Sequence, residues 1–398
     1  MPSIFASVVL TLALFAQASD GPLINSMDDV KIQNPKEKGR AESVEGKIGK
    51  AVKFSFDEGS SGAFCTTSIR GTPEWDQAAG FSFWVKGDGS KSFGGIEFIW
   101  NDDYSARYDV AFPIDATDWK KVVVAWRDLA PNLSSPNAKP LDPKTGNAPS
   151  KLSGLWFGKW WYWKNYPAHS YTIDEIRLEP KISLETNLFV PAGAPLERVL
   201  AKLKAKKPVT IVTMGDSLTD TRHWANRKVN WPALLIKKLQ EKYGVEVKIV
   251  NPAIGGTELR QNLVLIPRWR DEAPEPDLVT VCFGGNDWEG GMRGEMFRDS
   301  CRDAIDRIRR ATHGKADVLF MTTVPSLEKW TTRDELGVAA RAAAAERNAG
   351  LADTEKAFHA VAEAERAKLF CTDKVHLDPP GHEVVAATVV AAIERAGK

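Results

Sequence analysis

Ser217 stands in Met214-Gly215-Asp216-Ser217-Leu218, directly after an apolar run that begins at Val209. A serine hydroxyl is a poor nucleophile near neutral pH and needs a positioned base to take its proton. Candidates for that base and its partner occur near the C-terminus, in Asp373-Lys374-Val375-His376-Leu377, where the Asp and His are close enough for one loop to deliver both. Two other segments suit an anionic intermediate. Asn251-Pro252-Ala253-Ile254-Gly255-Gly256-Thr257 has glycines that let backbone approach a ligand closely, and Gly284-Gly285-Asn286-Asp287 offers a neutral side-chain amide. Each segment alone has an ordinary reading. Gly-Asp-Ser can be a turn with a capping serine, Asn286 a plain turn residue, and His376 a core or surface histidine. Their joint occurrence at the ends of predicted strands is what points to chemistry. Asp216 is expected to shape the turn, and His382, in the first turn of a predicted helix, to be structural.

Together the four blocks resemble the SGNH hydrolases, the esterase and lipase superfamily also named for its GDSL motif, over roughly residues 208–396. The resemblance implies a three-layer, flavodoxin-like α/β fold with a parallel sheet. It also implies Ser217 as nucleophile, His376 as general base and Asp373 as the group that orients it. The implied oxyanion hole is the N–H of Ser217, the N–H of Gly256 (favoured by register over Gly255) and the Asn286 amide. His223 and Trp224 are candidates to line a substrate pocket, although Trp224 is equally placed to pack beneath its loop. Trp288 is a comparable pocket candidate. The sequence contains no HExxH, no CxxC and no GxGxxG or Walker-type loop, so neither a metal nor a nucleotide cofactor is implied. A GxSxG elbow is also absent, which argues against an ordinary α/β-hydrolase.

The elements that must position these residues fall into two groups. From Pro208 the pattern alternates strand and helix. Strands are expected at Val209 to Met214, Val245 to Val250, Leu278 to Phe283 and Val318 to Thr323. Helices are expected at Trp231 to Tyr243, Met296 to Thr312 and Gly381 to Arg395. Such alternation predicts a parallel sheet covered by helices on both faces, with ligands at the carboxyl ends of its strands. Residues 24–180 read instead as short strands separated by Gly, Asp, Asn and Pro, which predicts an all-β sandwich. Residues 181–207 are the expected connection, with helical spacing from Leu196 to Lys204.

The segments Phe83 to Ser90, Trp119 to Trp126 and Ile173 to Leu178 resemble jelly-roll domains of the galactose-binding-like type, many of which are carbohydrate-binding modules. Nine of the fourteen Trp lie in this half, and an aromatic ring can stack on the apolar face of a sugar. Trp84, Trp126 and Trp156 are expected in the core. In the run Trp160-Trp161-Tyr162-Trp163, alternation puts Trp161 and Trp163 on one face, as candidate glycan contacts.

Composition bounds the partners. With 398 residues, more than one core is expected, and 53 basic against 52 acidic side chains leave a net charge of +1. No field of that size draws a chain onto nucleic acid or an anionic membrane, and a neutral substrate or polymer fits better. Ile4 to Phe15 is apolar and is followed by Ala16-Gln17-Ala18. This predicts a signal peptide over 1–18, too short for a membrane span, and hence a secreted or periplasmic protein. Four scattered Cys give no disulfide framework, Cys282 reads as a core residue, and pairing of Cys301 with Cys371 is left open. The expected substrate is an acylated carbohydrate or other ester, with no protein partner implied. The competing expectations are a lipolytic esterase or lysophospholipase, and a glycan-binding protein with an inactive hydrolase domain.

Overall fold

The computed structural model describes residues 21–29, 31–32, 39–59, 63–66, 69–132, 135–158 and 167–396. The expected signal segment and Trp160, Trp161 and Trp163 lie outside the described residues. None of the described helices is long and apolar enough to cross a membrane.

The N-terminal half is a sandwich of two antiparallel sheets. One runs in the order Gly39–Glu45, Lys50–Phe56, His169–Glu179, Gly80–Gly87, Lys120–Ala125, with Leu23–Asn25 also paired to His169–Glu179. The other runs Ala63–Thr66, Leu152–Gly158, Phe93–Trp100, Asp103–Pro113, Ala130–Pro131. Alternation decides which residues fill the space between them. Phe81, Phe83 and Val85 from one sheet meet Ile96, Phe98, Leu155 and Phe157 from the other, all buried. Trp126 joins this core as expected, packed on Phe81 at 5.3 Å between ring centroids. Trp84 and Trp156 do not. Each lies between two core residues of its own strand, so the pleat turns it to the outer face. There Lys47 lies over Trp84 and Arg107 over Trp156.

The C-terminal half carries the predicted parallel sheet, in the order Val247–Val250, Val209–Gly215, Leu278–Cys282, Asp317–Met321, Gly350–Ala352. The strand leading to Ser217 shows why it sits centrally. Val209 and Ile211 pack into one buried cluster and Val212 and Met214 into another, so both faces are covered. Trp231–Tyr243 is helical as predicted: the Asn230 side chain accepts the Ala233 N–H at 2.9 Å, and Gly244 closes the helix at φ 62°. Helices Glu197–Lys204, Gly294–Ala311 and Pro379–Arg395 also fall where the pattern put them. Asp334–Glu346 and the fifth strand were not anticipated. Cys282 is buried as expected, and all four cysteines are free thiols, including Cys301 and Cys371.

The halves share apolar surface. Phe93, Ala111 and Ala130 of the sandwich pack in one cluster with Leu263 and Ile266 of the α/β half. Arg307 locks this contact by donating to the carbonyls of Arg127 and Asp128, at 2.8 and 2.7 Å. Its guanidinium thereby satisfies carbonyls that the junction removes from water. The sandwich is thus fixed at one side of the parallel sheet's carboxyl edge.

Candidate active site

Ser217 lies in the tight turn that leaves Val209–Gly215, where Thr219 and Asp220 both donate their N–H to the Asp216 carbonyl. Two buried groups hold that turn. The Asp216 carboxylate accepts the Leu218 N–H at 3.0 Å, which is the turn-shaping role expected of it. Asn226 donates its amide to the carbonyls of Ser217 and Asp220, at 2.6 and 2.7 Å. The Ser217 N–H makes no hydrogen bond among the described residues, and Ser217 lines the cleft.

The loop after Leu369 brings the other two polar groups to the serine. His376 Nε2 is 2.9 Å from Ser217 Oγ, and its Nδ1 is 2.5 Å from Asp373 Oδ2. Asp373 Oδ1 accepts the N–H groups of Val375 and His376, both at 3.0 Å, so the loop's own backbone fixes the carboxylate. Burial alone would raise the Asp373 pKa, but these hydrogen bonds outweigh it and hold the carboxyl below its ordinary range. An ionised Asp373 only accepts, so His376 carries its proton on Nδ1 and presents an unprotonated Nε2 to the hydroxyl.

The glycine-rich loop and the Asn286 turn close the site from the neighbouring strand ends. A Cβ on Gly255 would stand 3.4 Å from the Ser217 Cβ, an ordinary contact distance, which places this loop directly beside the nucleophile's turn. The Gly255 N–H donates to Asp220 Oδ2 at 3.2 Å. Gly256 has φ 78°, the left-handed region that glycine enters without strain. The Asn286 amide donates to the Thr257 carbonyl at 3.1 Å and lies 3.4 Å from Asp216 Oδ2, which ties the turn to the glycine loop. Beneath it Asp287 is fully buried and accepts the N–H groups of Leu259 and Gly284, at 2.9 and 3.0 Å. Burial pushes Asp287 up to about 6 and Asp216 up to about 7.

A cleft of about 1150 Å³ opens above Ser217, His376, Asn286, Gly255 and Gly256. His223 and Trp224 line it. His223 stacks on His376 with ring centroids 4.2 Å apart, and Trp224 meets the same ring edge-on at 5.6 Å. Trp224 is 53% exposed, so it stands in the cleft rather than beneath its loop. Trp288 is not brought to the cleft. It packs against the core beside the helix Gly294–Ala311 and is covered by the Arg293 guanidinium at 3.7 Å. His382 is fully buried in the closing helix, and burial lowers its pKa to about 4, as a structural histidine requires.

Several lining residues carry no motif. Ser90, Lys91, Ser92 and Pro167 come from the sandwich, and Arg222, Arg227 and Arg268 from the α/β half. Asn226 and Asp220 were missed because their work is done through the tertiary turn, and nothing in a Trp-Ala-Asn or Thr-Asp-Thr run announces it. Elsewhere Asp334, Glu355 and His359 form the one close-set group of possible metal-ligating side chains among the described residues. Glu355 is held by Arg341 at 2.8 Å, and His359 Nε2 donates to the Trp330 carbonyl at 2.8 Å, which occupies that nitrogen.

Known proteins are similar to the C-terminal half of the chain. Residues 213–384 match the model of the GDSL-like Lipase/Acylhydrolase family and form a domain of that family. Crystal structures similar to the chain include an acetylxylan esterase from Geobacillus stearothermophilus (22% identity, 46% of this chain and 94% of that one, TM-score 0.38). A putative GDSL-like lipase from Parabacteroides merdae is 23% identical over 48% of this chain and 97% of that one, with a TM-score of 0.40. A lipase/acylhydrolase from Enterococcus faecalis is 24% identical over 48% and 96%, with a TM-score of 0.39. No curated protein matches the chain.

Proposed function

We propose that the chain hydrolyses carboxylic esters through an acyl-enzyme, and that its substrate is an O-acylated, most simply O-acetylated, carbohydrate. The observation that carries the chemistry is the continuous line from Ser217 Oγ through His376 to Asp373. Ser217 attacks the ester carbonyl as His376 Nε2 takes its proton. The resulting imidazolium is stabilised by Asp373 and returns the proton to the departing alcohol. Water then enters along the same line and releases the acid. Negative charge on the former carbonyl oxygen falls to the N–H of Ser217, the N–H of Gly256 and the Asn286 amide. Gly256 is retained from the register of the glycine loop, and the Gly255 N–H donates to Asp220.

The carbohydrate reading draws on different support. A sandwich rich in aromatic residues is docked against the catalytic half, and Trp224 exposes a ring face beside His376, a suitable platform for a sugar ring. Turnover of 4-nitrophenyl acetate by wild type and by Ser217→Ala tests the chemistry. The variant should be essentially inactive, and equal rates would return the chain to a binding role. Acetate release from acetylated xylan or mannan, set against hydrolysis of long-chain acyl esters, tests the substrate. Preference for acyl chains beyond about eight carbons would sink the deacetylase, since a tight acetyl pocket rejects added methylenes.

A further inference from the structure

The near-zero net charge of the chain is an average over 398 residues, and the cleft departs from it. Lys91, Arg222, Arg227 and Arg268 line the cleft against one carboxylate, Asp220. The Asp220 charge is already taken: Arg222 binds both of its oxygens, at 2.8 and 3.0 Å. Asp373 is bonded to His376. Asp88, two residues before Ser90, turns its carboxylate onto the backbone N–H groups of Ser90 and Ser170, at 2.9 and 2.8 Å. Among the described residues no ion pair reaches Lys91 or Arg227, and both are exposed. They stand on opposite domains, Lys91 in the sandwich turn after Gly80–Gly87 and Arg227 just beyond the nucleophile's turn. A concave wall with uncompensated positive charge focuses potential and concentrates anions.

We propose that the cleft selects esters whose alcohol portion bears a carboxylate: acylated acidic saccharides of the uronate type, docked between Lys91 of the sandwich and Arg227 of the hydrolase half. This rests on the acyl transfer at Ser217 proposed above and concerns the part of the substrate that leaves as the alcohol. The carboxylate is a handle and is unchanged by the reaction. The bond that breaks joins the acyl carbon to a sugar oxygen, and water supplies the new oxygen of the acid. Ser90 and Ser92 flank Lys91 with hydroxyls, and Trp224 offers a ring face, which suits a saccharide better than an anionic lipid. The sandwich on this account is part of the binding site itself.

A matched substrate pair tests this. Oligogalacturonides and the neutral oligomers made by reducing each carboxylate to a primary alcohol are acetylated to equal extent, and kcat/KM for acetate release is compared. Turnover of 4-nitrophenyl acetate is measured alongside. The acidic series should be favoured at least about fivefold at low salt, with the preference collapsing near ~0.5 M salt. Lys91→Glu and Arg227→Glu should each lower the acidic-to-neutral ratio by about three- to tenfold. Lys144→Glu, an exposed lysine of the sandwich outside the cleft lining, should leave that ratio unchanged. Equal kcat/KM on the two series, with 4-nitrophenyl acetate still hydrolysed, overturns the inference and leaves the acyl transfer standing. So does a preference that neither substitution moves, or a stronger preference for esters of anionic lipids. Failure to hydrolyse 4-nitrophenyl acetate overturns both.

Discussion

The imidazole of His223 lies against that of His376, with ring centroids 4.2 Å apart and planes 28° from parallel. Burial and the neighbouring His376 together hold His223 below the ordinary histidine range, against the pull of Asp220 and Asp373. Its Nδ1 accepts the Ala225 N–H, at 3.4 Å, so the neutral ring is also the one its backbone favours. Protonating His223 would set a cation against the imidazolium that forms on His376 during turnover. Neutral stacking supports the base without opposing it.

Replacing His223 should separate packing from charge. His223→Phe keeps the stacked surface and should stay within about threefold of wild type in kcat/KM. His223→Ala should lose roughly three- to tenfold, the worth of one aromatic pair. His223→Lys puts a cation beside the base, which disfavours the protonated form of His376. Its acidic limb in the kcat/KM–pH profile should therefore move to lower pH, and a move to higher pH would contradict the electrostatic reading.

Asn286→Ala removes one donor from the proposed oxyanion site. Turnover should fall by about 10²–10³ with little change in KM, because the interaction strengthens only as charge develops. A purely structural Asn286 would instead show itself as a lower unfolding midpoint with kcat retained in the folded fraction.

Asn226→Ala strips the nucleophile's turn of its two amide bonds; the Ser217 carbonyl loses the Asn226 amide, while the Asp220 carbonyl keeps the His223 N–H. A loss of about 1–3 kcal/mol in urea unfolding is expected, together with reduced kcat as Ser217 loses its fixed position. Asn226 is fully buried, so a surface-like effect near zero would mean that the turn is held by other contacts.

Asp216 and Asp287 set a pH dependence of stability. Both carboxyls are raised in the folded state, chiefly by burial, to about 7 and about 6. Between the ordinary carboxylate range and these values the unfolded chain has lost protons that the folded one keeps. Stability from this pair is therefore greatest below the unfolded pKa and declines as pH rises towards 6–7, at up to about 1.4 kcal/mol per unit for each group. Urea midpoints measured from pH 4.5 to 7.5 should fall less steeply in Asp287→Asn than in wild type. Parallel slopes would show that Asp287 does not titrate in this range.

What the sequence revealed and what it hid follow from where each interaction lies. The parallel sheet was legible because Val209–Gly215 and Leu278–Cys282 are largely apolar runs broken only by threonines and a closing glycine, a pattern of strands buried on both faces. Ser217, Asp373 and His376 could be singled out because each stands in a short motif at a strand or loop end. The helix Asp334–Glu346 escaped because its run of alanines shows little contrast between faces, and the strand Gly350–Ala352 is only three residues long. Trp84 and Trp156 were placed in the core on residue type, whereas the phase of their strands, set by Phe83 and Phe157, decided otherwise. Asn226, Lys91 and Arg227 act through tertiary proximity, to which chain order gives no access.

Ser217 Oγ is the atom proposed to take up the acyl group. Intact-mass and peptide mapping after treatment with diisopropyl fluorophosphate tests this most directly. One equivalent of label is expected, carried on Ser217, with esterase activity lost in proportion to labelling. Loss of activity with the label on another residue, or full labelling of Ser217 with activity retained, would contradict it.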